Sequence, residues 1–251
     1  MKFMAKIFDG MVVVEGVGEL LPFLPITLEI VFISAFLALI IGFLVALVKI
    51  NEVPILKNIC TVYVSYMRGT PLLVQLYITF YGIPMVLEVA NMYFGTDFSI
   101  DAIPNILFVI FAFMMNEGAY ASETIRAALV AVDRGQIEAG YSIGLSNVQV
   151  FRYIILPESL KIALPSLGNI FIGLLKGTSL AFVCAVIEMT AASRLISGRN
   201  LRFFEMYIAL SLIYWALSII AERTFIYWEN VLRKSDRAMR RDKKLQAKAQ
   251  Q

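Results

Sequence analysis

The sequence predicts an all-α protein that crosses a membrane about five times. Composition is the first observation: 59% of the 251 residues are hydrophobic and only 16% are charged, whereas soluble domains carry about 25% charged residues. The second is that the apolar residues form stretches of roughly 20, the length that a helix needs to cross the hydrocarbon core. The chain has no histidine and two distant cysteines, which predicts neither a metal site nor a disulfide framework.

Five apolar stretches are predicted to be the spans, and a mixed segment precedes them. Residues 1–25 are interpreted as an interfacial segment with a short amphipathic helix. Pro71 and Pro84 should kink or end the second span. The polar stretch 176–178 should interrupt the fourth, giving one discontinuous span or two half-helices. The predicted spans are residues 30–48, 59–87, 102–130, 162–187 and 206–227.

Loop charge predicts the orientation, because cytoplasmic loops carry an excess of Lys and Arg. Lys49 and Lys57 place the first loop inside, whereas loop 88–101 has three acidic residues and no basic ones. The basic tail, residues 232–251, then lies in the cytoplasm and the N-terminus outside. The tail has no stacking aromatic residues, which disfavours nucleic-acid binding. One observation conflicts with this orientation, because the next outer loop carries Arg194, Arg199 and Arg202. Either that loop is too short for its charge to decide the orientation, or the predicted number of spans is off by one.

The longest polar interruption between the apolar stretches is residues 135–157. Its pattern predicts one amphipathic helix, with Ile137, Tyr141, Gly144 and Val148 near one face. An ordered helix outside the membrane mostly contacts a soluble partner, although an ordinary surface helix between two spans would show the same pattern.

The same segment resembles the loop signature of the permease subunits of binding-protein-dependent ABC importers. Glu138, Ala139 and Gly140 are followed four residues later by Gly144, and Leu156 and Pro157 close the motif; Gly140 stands where alanine is usual. Three further stretches look like the polar amino acid branch of this family. They are RGTPLLVQL at 68–76, GAY at 118–120 and ALPSLGN at 163–169, with KGTSL at 176–180 following. The resemblance covers roughly residues 26–231, which we interpret as the permease domain.

The resemblance implies a type I importer permease fold and a division of labour among subunits. Two ATPase subunits would bind the 135–157 loop, a second permease chain would complete the pore, and an extracytoplasmic solute-binding protein would deliver a polar amino acid. The chain has no Gly-Lys-Ser/Thr phosphate loop, so it would bind no cofactor, and ATP and Mg would be held by the partner ATPase. No residue is given a catalytic or metal-binding role. The ATPase-coupling residues would be Gly135, Glu138, Ala139, Gly140, Gly144, Leu156 and Pro157.

Polar side chains inside predicted spans are candidates for function, because burying them in the membrane is costly. Glu123 and Arg126, three residues apart on one helix, are predicted to form a structural ion pair. Hydrogen bonding between helices remains the alternative for Thr70 and Gln75, as packing does for Tyr120. The candidates for the substrate path are Thr70, Gln75, Asn116, Glu117, Tyr120 and Glu188.

The substrate is expected to be a polar amino acid. Relatives that carry basic amino acids have carboxylates where this chain has Ile170 and Gly177, so lysine and arginine are disfavoured unless Glu117 substitutes. The stretch FYGIP at 80–84 looks most like the cystine permeases. Two other classes stay open: a secondary transporter driven by an ion gradient, and an intramembrane enzyme using Glu117 or Glu123. The expected location is the bacterial inner membrane.

Overall fold

The computed structural model describes residues 8–97 and 99–249, apart from the side chains of residues 101 and 234–249. Every regular element in these residues is helical. The α-helices, in chain order, are α1 (Gly10–Leu20), α2 (Leu24–Ile50), α3 (Leu56–Gly69), α4 (Leu72–Phe94), α5 (Asn105–Val130), α6 (Arg134–Ser142), α7 (Asn147–Val150), α8 (Leu156–Gly177), α9 (Met189–Asn200) and α10 (Phe203–Ala249). Tighter 3₁₀ turns lie at Leu21–Phe23, Ile100–Ala102 and Thr178–Cys184, and a wider π turn at Phe151–Ile155.

Five helical stretches of the described residues are long and apolar enough to cross a membrane, which confirms the predicted number of spans. They are Gly10–Ile50, Leu72–Phe94, Asn105–Val130, Asn147–Cys184 and Phe203–Arg233. By length and composition the spans number five, as predicted, and α9, with Arg194 and Arg199, lies between the fourth and fifth.

The bounds predicted for the second span, 59–87, are wrong. The backbone is extended at Thr70 (φ −119°, ψ 148°) and Pro71 (φ −65°, ψ 134°), because a residue before proline avoids the helical region. The chain therefore ends α3 and begins α4, and α4 alone is the span. Pro84 lies inside α4 without ending it.

The fourth span is continuous where a break was predicted. Helix α8 passes through residues 176–177 and tightens into a 3₁₀ helix from Thr178. The Thr178 and Ser179 hydroxyls donate to the carbonyls of Leu175 and Lys176, three residues earlier (2.6 and 2.8 Å). Such local bonds compete with the hydrogen bonds of a regular α-helix. They therefore explain why the helix changes from α to 3₁₀ at Thr178 without being interrupted. The helix ends at Ala185, in the left-handed region (φ 57°).

Helices α2 and α5 make the most extensive contact in the described chain, and small residues allow it. A Cβ atom at Gly42 would lie 2.8 Å from the Ala121 Cβ and 3.0 Å from the backbone N of Ser122. Close approach of this kind is the usual basis of helix packing in membranes, where lipid removes the hydrophobic drive for association. Around this pair, Phe113 and its neighbours form a buried core shared by α2, α4, α5 and α8.

The N-terminal helix α1 exists as predicted and packs on the last span. Asp9 caps it by accepting from the backbone N of Met11 (2.9 Å). A Cβ at Gly16 would lie 2.8 Å from the Met206 Sδ, so glycine permits the contact. Its interfacial location remains a prediction, as do the predicted domain boundaries. The basic tail at 232–251 continues α10 as helical backbone to Ala249, and its side chains from 234 onward lie outside the described part.

Candidate translocation and coupling sites

Three of the predicted path residues form one hydrogen-bonded network at the break between α3 and α4. The Gln75 amide donates to the Thr70 Oγ1 (2.8 Å) and to the Met67 carbonyl (2.9 Å). The Asn116 amide donates to the Gln75 Oε1 (2.9 Å) and to the same Met67 carbonyl (3.2 Å). Carbonyl groups at a helix C-terminus lack partners within the helix, so these amides close the end of α3.

The network is buried and internally satisfied. Gln75 is 4% exposed and Asn116 5%, and both side chains point at each other rather than into an open cavity. The structure therefore displays the helix-to-helix hydrogen bonding that the sequence left as an alternative. Tyr120 lies apart from it, half-exposed, with the Arg68 guanidinium 5.4 Å from its ring centroid.

Glu117 lies on a different side of α5, in an apolar crevice. The crevice has a volume of about 190 Å³, and its lining includes Ala38, Leu164, Ile170 and Phe171. Among the described residues, no hydrogen bond or ion pair to the Glu117 carboxylate is found. A carboxylate with apolar neighbours and no partner is costly unless a cation or water joins it.

Glu188 was a candidate either in the second half of the fourth span or at the interface beyond it, and the structure places it four residues past the end of that span. It is the N-cap of α9, and its carboxylate accepts from the backbone N of Thr190 (2.8 Å) and of Ala191 (2.9 Å). The Tyr214 hydroxyl of α10 donates to the same carboxylate (3.2 Å). The sequence did not reveal Tyr214 as a partner, although an acidic residue just before a polar helix start is an N-cap signal. Glu188 is fully buried.

Glu123 and Arg126, predicted to pair, are in contact. The Arg126 Nη2 lies 2.8 Å and the Nε 3.1 Å from the Glu123 Oε2. The other oxygen, Oε1, accepts from the Lys49 Nζ at the end of α2. The sequence did not predict Lys49 as a partner of Glu123. Its position in the last turn of an apolar helix was the one indication that it needs an acidic partner. Glu123 thus joins the ends of α2 and α5 beside the start of the 135–157 segment.

The prediction of one helix over residues 135–157 is wrong. The segment contains two helices, α6 and α7, joined by a turn. Helix α6 ends in a Schellman motif: the Leu145 N donates to the Gly140 carbonyl (3.1 Å) and the Gly144 N to the Tyr141 carbonyl (2.9 Å). Gly144 has φ 85°, which a residue with a Cβ adopts only with strain. A capping box between Ser146 and Gln149 then starts α7. Gly144 therefore ends a helix instead of lying on its face.

Gly135 and Pro157, at the ends of the segment, both lie inside helices rather than at breaks between them. Gly135 lies in the first turn of α6, after the cap Asp133. Pro157 lies in the first turn of α8 and does not stop the helix, since proline is tolerated where an N–H has no partner. The π turn Phe151–Ile155 precedes it, because the proline ring excludes a normal bond to the carbonyl four residues earlier.

Gly140 packs inside the chain and leaves no space on its face for a partner. A Cβ there would lie 2.5 Å from the Ile154 Cδ1 and 3.4 Å from the Val150 Cγ2. Gly140 therefore lets α6 fold against the turn that follows α7. The outer side of this folded segment is apolar: Ile143 is 79% exposed and Val148 74%. Glu138 and Ala139 are exposed beside them, and Leu156 is half-exposed at the start of α8.

Comparison with known proteins decides the family. Residues 38–227 match the family described as binding-protein-dependent transport system inner membrane component. The chain belongs to this family. The permease is 38% identical to the L-cystine transport system permease protein TcyL of Bacillus subtilis (strain 168), over 92% of this chain and 95% of that protein. It is also 38% identical to the probable amino-acid permease protein YxeN of the same organism, over 84% of this chain and 90% of that protein.

Solved structures agree with this assignment. The permease superposes on a chain of a crystal structure of an amino acid ABC transporter with histidines, with a TM-score of 0.74 and 31% identity over 89% of this chain and 98% of that one. A chain of the MetNI methionine ABC transporter, 17% identical over 85% of this chain and 96% of that one, shares the fold with a TM-score of 0.64. The permease is thus a subunit of an ABC importer for amino acids and has the type I fold. It is an inner-membrane protein. The alternative of a secondary transporter driven by an ion gradient is therefore rejected.

Proposed function

We propose that this permease forms half of a translocation pore, with an identical or different second permease chain. Two ATPase subunits bind the folded 135–157 segments of the two permease chains, and an extracytoplasmic binding protein delivers the amino acid. ATP and Mg act on the ATPase, and the permease itself catalyses no bond chemistry. Its C-terminus lies in the cytoplasm, as the loop charges predict.

The observation that carries this proposal is the apolar outer side of the folded segment. Ile143 and Val148 expose most of their surface, yet Ile143 caps the end of α6 and Val148 lies in the short, capped helix α7, not in one of the long apolar helices. Exposed apolar side chains on an ordered segment are typical of a site that inserts into a groove of a protein partner. The packing of Gly140 against Ile154 supports transmission of force, since a segment that is packed internally moves as a unit.

The Lys49–Glu123–Arg126 cluster supports the same account. It ties the ends of α2 and α5 together, and only three residues separate the end of α5 from the start of α6. A movement imposed on the segment would therefore reach two spans at once rather than bend a single loop.

The substrate in this proposal is a polar amino acid without a cationic side chain, with L-cystine as the candidate. Relatives named as L-cystine permeases, TcyL and TcyB, support this choice. Ile170 lines the crevice of Glu117, and a Cβ at Gly177 would lie 3.2 Å from the Phe113 ring, so neither position offers a carboxylate. Glu117 remains to accept the substrate ammonium group, as acids within spans mark substrate paths.

Co-purification tests the coupling proposal. A tagged permease is co-expressed with the ATPase encoded beside it, and recovery of the ATPase is compared for wild type, Ile143→Asp, Val148→Asp and Glu138→Lys. Because these side chains are exposed, folding should be unaffected, while ATPase recovery and uptake should fall about tenfold or more, as when a central apolar anchor is lost from an interface.

Leu201→Asp is the matched control, because Leu201 is 78% exposed in a different loop; it should keep full ATPase recovery. Wild-type recovery of the ATPase with all three segment variants would contradict the proposal.

Uptake tests the role of Glu117. In proteoliposomes with ATPase and binding protein, Glu117→Gln should raise the KM for the amino acid while leaving ATPase recovery unchanged. An unchanged KM would remove Glu117 from the substrate path and leave the coupling proposal intact.

A further inference from the structure

Helix α9, between the fourth and fifth spans, is bounded by two residues with unusual backbone conformations. Ala185, four residues before it, has φ 57°, and Leu201, at its end, has φ 58°. The other non-glycine residues in this region of φ, among those described, are Glu52 and Ile55 in the turn between α2 and α3. Left-handed conformations of residues with a Cβ are costly and cluster at segments that switch.

The start of α9 is fastened to the neighbouring spans through a buried carboxylate. Glu188 is 0% exposed, and both of its oxygens accept hydrogen bonds from the first turn of α9. The Tyr214 hydroxyl is the one described donor to this carboxylate from outside α9. It also lies 3.3 Å from the Thr178 Oγ1 at the end of the fourth span, so one phenol group joins α9, the fourth span and the fifth.

Apart from a long hydrogen bond that the Met189 N donates to the Thr27 Oγ1 of α2 (3.4 Å), the rest of the buried side of α9 offers few polar bonds to hold it in place. The hydroxyls of Ser193 and Ser197 are completely buried, and neither has a partner among the described residues. A buried hydroxyl without a partner is destabilising and gains hydrogen bonds to water when it is exposed. These two serines therefore favour release of α9, while the contact between Glu188 and Tyr214 opposes it.

We propose that Glu188 and Tyr214 form a latch that holds α9 against the fourth and fifth spans, and that each transport cycle opens and re-forms it. Glu188 is then a positioning residue that does not touch the substrate. The inference rests on the proposed transport function, but it assigns a role to residues outside the coupling segment. When the latch opens, α9 turns about Ala185 and Leu201 as one piece, and water reaches the two serines.

Thiol labelling of Ser193→Cys tests the latch. The variant is made in a chain with Cys60→Ser and Cys184→Ala, and the purified complex with its ATPase is treated with a small methanethiosulfonate reagent. Cysteine closely matches serine in size, and the serine hydroxyl has no partner to lose. In otherwise unchanged protein at rest, modification should be slow, and it should accelerate when binding protein, amino acid and ATP are added.

Tyr214→Phe, which removes only the hydroxyl, should speed the resting modification about tenfold or more, the effect of losing one hydrogen bond to a charged group. It should also lower the amount of amino acid imported per ATP hydrolysed. Tyr207→Phe on the same helix is the matched control, since no hydrogen bond of Tyr207 is found among the described residues. Ser122→Cys, equally buried in α5, reports any general loosening and should stay unreactive.

Equal Ser193→Cys rates in Tyr214→Phe and Tyr207→Phe would overturn the latch, as would equal acceleration at Ser122→Cys. If Tyr214→Phe does not fold, Glu188→Gln is the second variant. Its single amide oxygen can accept from only one of the N–H groups of Thr190 and Ala191, so it weakens the latch from the carboxylate side and should likewise speed the modification of Ser193→Cys. A rate that turnover leaves unchanged would show that α9 stays closed during transport. The resting rates can be measured in membranes without any ATPase, so failure of the coupling proposal and failure of the latch are separate results.

Discussion

Two segments interrupt the spans, and they are built in opposite ways. The 135–157 segment turns Ile143 and Val148 outward and folds on itself around a glycine. The segment of α9 turns a carboxylate inward and buries three hydroxyls, of Thr190, Ser193 and Ser197, that have no partner in the described chain. The first is stable internally and exposes a surface for a partner, whereas the second is held mainly from outside itself.

The turns of the two segments show the same contrast. Where the first segment needs a left-handed residue, it has glycine, at Gly144, so the turn carries no strain. The second has alanine and leucine at such positions, which store strain at its ends. We infer that the first segment transmits movement and the second undergoes it.

The largest expected effect comes from breaking the internal packing of the first segment. Gly140→Leu would force a side chain into the space of Ile154, and overpacking of this kind costs about 1–3 kcal/mol. We expect recovery of the ATPase to fall about tenfold or more. Gly140→Ala should be tolerated, since the atom it meets is the end of a flexible side chain.

Gly198→Leu is the matched control from the second segment, where a Cβ would meet nothing within 4 Å. It should leave ATPase recovery unchanged. Adding Ile154→Ala to Gly140→Leu should restore part of the loss, and a double variant no better than the single one would show that this packing is not the cause.

A smaller effect is expected where the first segment joins the spans. Lys49→Met removes one of the two cations that bond to Glu123 and should lower the free energy of unfolding by about 1–3 kcal/mol, the usual value for a hydrogen bond to a charged group. Thermal unfolding of the purified complex measures it. Lys57→Met, whose partner Glu52 is exposed, should change the Tm little, because exposed pairs contribute under about 1 kcal/mol. Equal shifts would contradict a special role for the Lys49–Glu123–Arg126 cluster.

The smallest change in stability is expected for a substitution at Leu201, the end of α9. Whether the free energy of unfolding rises or falls shows whether Leu201 is strained. Leu201→Gly relieves a left-handed leucine and should raise the free energy of unfolding by up to about 1 kcal/mol. Leu195→Gly, at an exposed position inside the same helix, should lower it by about as much. Thermal unfolding of the two variants compares them directly, and a Tm lowered equally by both would mean that Leu201 is not strained.

The sequence predicted the parts of this protein that depend on composition or on spacing along one helix, such as the Glu123–Arg126 pair, and missed contacts between residues far apart in the chain. The length and hydropathy of the apolar stretches were enough to predict five spans, because a helix that crosses a bilayer must be both long and apolar. Pro71 was predicted to kink or end the second span, and it ends a helix. The sequence left the two outcomes open, since a proline kink and a helix end look alike in sequence.

The candidate site was predictable as a motif but not as a geometry. The apolar spacing of 135–157 fits one helix, and Gly144 was taken as a small residue on its face. The S-x-x-Q pattern at Ser146 and Gln149 was the signal that a second helix starts there. The Glu188–Tyr214 contact joins residues 26 positions apart, and no local pattern indicates such a pair.

The most direct test of the contrast between the two segments is cross-linking to the ATPase. A single cysteine is placed at Ile143 or at Leu201, both exposed apolar positions, in membranes that contain the whole importer, and a short bifunctional thiol reagent is added. We predict that Ile143→Cys yields a permease–ATPase adduct and that Leu201→Cys yields none. An adduct from Leu201→Cys, with none from Ile143→Cys, would contradict the assignment of the two segments.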